Sequence, residues 1–370
     1  DEWSDVDLGG KRVLVIIGEH RPFTQRQKDA LDNFCTGYNV VVYVNHLSNY
    51  HGIYSIQGNL LVSCGGLKHL NPDIIITIGG QTGDYSIYNA LNLTKNTEHW
   101  RVCEDGNVVN TYNRLNKIFE CPAFYFFNRM KKDMQVDHSY YEEWKNMNST
   151  MNYNVEVPFS NLYVAQQLYK DIPQNSIMNF AILNSLRSWS YFPLNTSIQG
   201  YANVAAFGID GCNSMLIGES MNTNEFCFIV TGDLAFFYDM NALGIRHIKN
   251  NVRILLVNNN GGAEFKIMTR NWTDNVNVDN FISANGHNGN AKGWAENCGF
   301  KYISAKNKEE FSNVKNEFIN ENFRPILFEV FTEEVDEVVA MSEFIGKNKI
   351  VKSGDKIKAV VSSIVGNEGL

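Results

Sequence analysis

The chain reads as an α/β protein built from two doubly wound parallel-sheet domains. Short apolar runs rich in Val, Ile and Leu recur between Lys11 and Phe331 and stop at Gly, Asn or Asp turns, as strands covered on both faces do. Between them lie stretches whose apolar residues repeat at helical spacing, and this alternation of strand and helix specifies a parallel sheet.

Lys11 to Gly18 is the first expected strand. Thr24 to Cys35 follows as a helix, with Thr24 as N-cap and Gln27 completing a capping box. Asn39 to Val44 and Asp73 to Ile78 are the second and third strands. Gly79-Gly80-Gln81-Thr82-Gly83 then leads into a helix over Tyr85 to Leu91. That loop suits a tight strand-to-helix turn better than a nucleotide-phosphate loop, because it is not GxGxxG and does not follow the first strand. His46 to Tyr50 suits either a capped loop or one facing a ligand cleft. Glu98 to Cys103 is a further strand, and residues 8–130 make one α/β domain. Residues 131–154 are charged and methionine-rich; they read as a linker with a helix near Ser139 to Asn146.

The second domain covers residues 155–334. It opens with a helix over Ser160 to Tyr169 and a strand over Ser176 to Leu183 that ends at Asn184-Ser185. A helix follows over Asp210 to Glu219, then a strand over Phe226 to Thr231 ending in Gly232-Asp233. Phe236, Phe237, Met240, Leu243, Ile245 and Ile248 give the spacing of one helix up to the strand Arg253 to Val257. That strand runs into Asn258-Asn259-Asn260-Gly261-Gly262. Ala291 to Cys298 is a helix closed by Gly299, followed by strand Phe300 to Ile303, helix Lys308 to Ile319 and strand Pro325 to Phe331. Residues 335–370 form a partly helical C-terminal tail.

Gly232-Asp233 and Asn258 to Gly262 leave two strands at one sheet edge, where open α/β sheets bind ligands. Neighbouring parallel strands lie about 4.8 Å apart, so Asp233 and Asn259 can share one cation. Mg²⁺ takes oxygen ligands and favours one or two carboxylates together with phosphate oxygens. Asp233 would supply the charge, Asn259 a neutral oxygen and Gly261 a carbonyl, with the N–H groups of Leu234 and Ala235 turned toward phosphate.

The wording GDLAFFYDMNAL…RILLVNNNGGAEF resembles the cofactor motif of thiamine-diphosphate-dependent enzymes, and most of all the menaquinone-pathway 2-succinyl-5-enolpyruvyl-6-hydroxy-3-cyclohexene-1-carboxylate synthases. The resemblance reaches back to Asn184-Ser185 and to Gly208-Ile209-Asp210-Gly211. It implies that Asp233, Asn259 and the Gly261 carbonyl hold Mg²⁺, that Gly232, Leu234 and Gly262 border the diphosphate, and that Ile209 is the apolar wedge keeping the cofactor bent. It also implies a thiamine-diphosphate- and Mg-dependent decarboxylase or carboligase acting on a 2-oxo acid. Ser185 and Phe265 match pocket-lining positions, and Glu264 replaces an apolar residue there. Where the family carries two carboxylate-gripping arginines this chain has Val204 and Trp189, with Arg187 nearby on another helix face, so a different, more neutral acceptor is expected. The long segment from Lys266 to Asn290, with Trp272 and His287, has the length of a lid; His287 then either meets substrate or is a solvated loop histidine.

The sequence begins at Asp1 and nothing in it resembles the family's pyrimidine-binding domain, which carries the activating glutamate. A fragment, or one polypeptide of a split enzyme, is therefore expected, with that domain supplied in cis or by a separate chain and a homo-oligomer as the assembly. The competing reading is a non-catalytic cofactor-binding module or scaffold. A dinucleotide-dependent oxidoreductase ranks last, for want of the glycine fingerprint. The net charge of −8 with no basic patch argues against a nucleic-acid partner. No apolar run approaches membrane-span length and no signal-peptide pattern is visible. The seven cysteines are scattered without a CxxC pair, which suits reduced thiols in the cytoplasm.

Overall fold

The computed structural model describes Trp3 and residues 6–134, 136–268, 284, 286–321 and 323–350. Among these the strands form two six-stranded sheets, parallel throughout. The first contains β1 (Val13–Ile17), β2 (Val40–Val44), β3 (Ser55–Gln57), β4 (Ile74–Ile78), β5 (Glu98–Cys103) and β6 (Leu115–Glu120), in the order β3-β2-β1-β4-β5-β6. The second contains β7 (Ile177–Phe180), β8 (Gln199–Ala202), β9 (Cys227–Gly232), β10 (Val252–Asn258), β11 (Lys301–Ala305) and β12 (Ile326–Phe331), in the order β11-β12-β10-β9-β7-β8. The two expected doubly wound sheets are thus present. β1, β2 and β10 are buried along their whole length; β1 and β2 are unbroken apolar runs, and β10 buries Arg253 and Asn258 on either side of its apolar stretch Ile254 to Val257.

Several elements differ from the sequence expectation. β3 and β6 were not anticipated, nor was the Phe-rich helix Ala123–Met130; β3 is only three residues long and β6 is mostly half-exposed at the sheet edge. β7 stops at Phe180 rather than Leu183, and Leu183 takes φ 69° ahead of the helix Asn184–Ser190. Ser185 therefore sits inside a helix and does not end a strand. The single helix expected up to Ile248 is instead a helix over Asp233–Tyr238 followed by a 3₁₀ turn over Met240–Gly244. The break falls at Asp239, whose carboxylate accepts both the backbone N–H and the hydroxyl of Ser214, each at 2.7 Å. The capping box of Thr24 and Gln27 forms as read, and Gly299 takes φ 83° after the helix Lys292–Asn297.

In segment 131–154 the helix Ser139–Asn148 buries Tyr140 and Trp144 against the first domain's core. The helix Glu334–Asn348 closes the second domain, while residues 351–370 lie outside the described residues. Buried Glu337 joins three separate segments, accepting from Asn161 N (2.9 Å), Asn184 Nδ2 (3.1 Å) and the Thr332 hydroxyl (2.8 Å).

The sheets share one apolar cluster that runs from Leu14 and Tyr43 through Trp144 to Phe180, Trp189 and Phe344. Polar contacts fix the seam. Asn49 exchanges two hydrogen bonds with the backbone of Gly200, at 2.8 and 2.9 Å. A side chain at Gly200 would bring its Cβ to 2.2 Å from the His46 carbonyl, so only glycine permits this approach.

His46 stacks on Phe180 and donates from Nε2 to the Trp189 carbonyl at 2.9 Å. Burial pulls its pKa from 6.5 down to about 4. The folded state therefore favours the neutral ring. Its contribution is fully present above pH 6.5 and is lost as pH falls toward 4. The loss should approach roughly 3 kcal/mol. Urea denaturation between neutral and mildly acid pH should show wild type losing more stability than His46→Gln; parallel pH profiles would contradict this.

Candidate cofactor and metal site

β9 lies between β10 and β7, so the loops leaving these three strands meet on one rim. Thr231 and Gly232 pair with Leu256 and Val257. Asp233 and the turn after Asn258 consequently leave the sheet side by side. Asp233 is buried, and both of its oxygens are engaged. Oδ1 accepts from Leu234 N at 2.7 Å, and Oδ2 accepts from Gly261 N at 3.0 Å.

His287 completes the set around Asp233. Gly289 N donates to His287 Nδ1 at 2.8 Å, so the proton resides on Nε2, which donates to Asp233 Oδ2 at 3.1 Å. His287 thus touches the central carboxylate and is not a freely solvated loop residue. Burial pushes the Asp233 carboxyl above its usual range, opposed by the hydrogen bonds from His287, Leu234 and Gly261.

A second network holds the turn rigid. Asn258 Nδ2 donates to Glu329 Oε1 (2.7 Å) and to the Gly289 carbonyl (2.9 Å). The other oxygen of Glu329 accepts from Ala291 N (3.0 Å) and the Tyr302 hydroxyl (2.7 Å). Asn260 accepts from Gly286 N on its carbonyl and from Asn288 N on its side chain, at 2.9 and 2.8 Å. Segment 286–291 is in this way stitched along the exit of β10. Neither His287 nor Glu329 could be assigned these partners from sequence, since the contacts depend on strand order.

Asn259 behaves differently from its neighbours. Its side-chain oxygen is buried and meets no hydrogen-bond donor among the described residues. A buried carbonyl oxygen without a donor is costly, and a cation would satisfy it. Among the described residues no group of three His, Cys, Asp or Glu side chains is placed to ligate a metal, so a cation here would draw on Asp233, this amide and main-chain oxygen. The donor set is one carboxylate and neutral oxygens, which suits Mg²⁺.

The remaining predicted residues are placed as follows. The Leu234 N–H is taken by Asp233 and begins a six-residue helix, so it does not point freely at a phosphate. Gly232 has open space where a side chain would be. Ile209 and Phe265 are each 36% exposed, while Ser185 is buried. Glu264 forms a two-pronged ion pair with Arg187, both contacts at 2.7 Å, which the sequence did not reveal. Trp272 lies outside the described residues. In the first domain, Asp84 caps the helix Tyr85–Asn92 at the end of the Gly79–Gly83 loop. That loop borders a crevice of about 610 Å³ lined also by Tyr112 and Phe207. A Cβ on Gly18 would stand 1.8 Å from the Gly80 carbonyl, which accounts for glycine there.

No family model matches the chain. It is similar to proteins named 2-succinyl-5-enolpyruvyl-6-hydroxy-3-cyclohexene-1-carboxylate synthase in several bacteria. The protein of Christiangramia forsetii is 31% identical over 368 residues, covering 93% of this chain and 61% of that protein. The protein of Phocaeicola vulgatus is 30% identical over 280 residues, covering 75% of this chain and 50% of that protein. The protein of Flavobacterium johnsoniae is 26% identical over 354 residues, covering 93% and 63%. The chain thus spans less than two thirds of the length of these curated relatives. With two parallel sheets and a carboxylate–amide rim, the chain is a homologue of the 2-succinyl-5-enolpyruvyl-6-hydroxy-3-cyclohexene-1-carboxylate synthases.

Proposed function

We propose that this rim holds thiamine diphosphate through Mg²⁺, as part of an enzyme that decarboxylates a 2-oxo acid and joins the remaining fragment to an acceptor. The observation that carries the reading is the buried side-chain oxygen of Asn259, without a donor among the described residues, in the same turn whose Gly261 N–H reaches the carboxylate of Asp233. Asp233, Asn259 and the Gly261 carbonyl would ligate the metal. Gly232, Leu234 and Gly262 would border the diphosphate, and Ile209 would offer the apolar support. When bound, the cofactor supplies a carbon nucleophile for the 2-oxo acid carbonyl and accepts the electrons left by carbon dioxide. The protein's own part is to orient Asp233, through the His287 and Gly261 hydrogen bonds, and to keep the turn rigid through Glu329. Ser185, Glu264 and Phe265 would line the space for the acceptor.

The activating glutamate is assigned to a pyrimidine-binding domain, in cis or on another chain, with a homo-oligomer as the working assembly. The relatives extend well beyond the matched part, which supports this. All seven cysteines are unpaired, and among the described residues no helix is long and apolar enough to cross a membrane; a cytoplasmic location accords with both.

Calorimetric titration of the chain with thiamine diphosphate, with and without Mg²⁺, tests the reading. Binding that requires Mg²⁺ and is competed by inorganic pyrophosphate is expected. No binding at millimolar cofactor with Mg²⁺ present would overturn it.

A further inference from the structure

Arg187 stands on the helix after β7, and Glu264 opens the helix after β10. Only β9, with Asp233 at its end, separates those strands, so the ion pair spans the rim. Guanidinium Nη1 and Nη2 each meet one carboxylate oxygen of Glu264 at 2.7 Å. Both side chains are largely withdrawn from water, at 14% and 11% exposure. This parallel, two-bond geometry is the one an arginine offers to a bound carboxylate ligand. Glu264 therefore fills the position such a ligand would take. Val204 and Trp189, by contrast, are fully packed in the shared core and present no charge.

We propose that Glu264 is a built-in counter-ion for Arg187, so that an acceptor bound at this rim presents a neutral group there and an anionic acceptor is refused. An entering carboxylate would have to expel Glu264 from Arg187 and leave two negative groups in a poorly hydrated space. The pair thereby determines which substrates enter. Its placement at an active rim rests on the cofactor reading above.

Glu264→Ala should leave Arg187 without its partner and lower the melting temperature. Sodium propionate should restore much of that loss, compared with matched sodium chloride. Wild type and the Arg187→Ala/Glu264→Ala double variant should not respond. In calorimetry, succinate should bind Glu264→Ala at least tenfold more tightly than wild type. If the alanine variant fails to fold, Glu264→Gln keeps the side-chain volume and should show the same ordering. Succinate binding to wild type as tightly as to the variants would overturn the proposal, as would a single variant indifferent to both carboxylates. The same samples titrated with thiamine diphosphate and Mg²⁺ keep the two readings apart. Cofactor binding with no carboxylate response overturns the counter-ion alone. A carboxylate response without cofactor binding overturns the cofactor reading and leaves the counter-ion standing.

Discussion

Asp233→Ala is expected to abolish Mg²⁺-dependent binding of thiamine diphosphate, a loss of at least about 100-fold in affinity. The reasoning is electrostatic. Asp233 brings the charged oxygens to the rim, and the neutral amide of Asn259 cannot replace them. A ligand present at about 100 times its Kd stabilises a protein by about 2.7 kcal/mol, and this increment should vanish from the variant's melting curve. Asp233→Asn keeps the shape and removes the charge, so it should behave like alanine in binding; its amide NH₂ must also face the Leu234 donor or the Gly261 and His287 donors, so it should melt below wild type without cofactor. Asn259→Ala should cost less, about tenfold, because it removes one neutral ligand. A variant at Asp233 that titrates as wild type does would remove the metal from this place.

Glu329→Ala should be the most damaging change away from the rim itself. Glu329 is buried within β12 and accepts from three groups, Asn258 Nδ2, Ala291 N and the Tyr302 hydroxyl. Truncation leaves buried donors unpaired, and a loss of about 3 kcal/mol is expected in chemical denaturation. Glu329→Gln retains one acceptor and should recover part of this. Because Asn258 opens the turn that runs to Gly262, the effects of Glu329→Ala and Asn258→Ala should not add; a coupling of about 1 kcal/mol is expected from the double variant. Strict additivity would show that the contact does not govern the turn.

The central strands were legible because strands buried on both faces leave a continuous apolar run: β1, β2, β4, β9 and β10 all do so. β3 and β6 were not, since a three-residue strand and the half-exposed edge sequence LNKIFE leave no such run. The spacing from Phe236 to Ile248 could not show that Asp239 turns aside to Ser214, a partner on another helix. At the rim, Asp233 and Asn259 stood out as polar turn residues after apolar strands. The contacts that organise them did not: His287 with Asp233, Asn258 with Glu329, and Arg187 with Glu264. Each links segments far apart in the chain, and strand order, not residue spacing, decides that they meet.

The three hydrogen bonds received by Glu337 have a bearing on biosynthesis. Asn161 and Asn184 leave the ribosome long before Glu337 does. The amino-terminal sheet contains all six of its strands by Glu120 and can consolidate while translation continues. In the carboxy-terminal domain the Asn161, Asn184 and Thr332 donors gain their shared acceptor only once Glu337 has emerged. Nascent chains should therefore gain protease resistance in two stages, the second only after the helix bearing Glu337 has emerged.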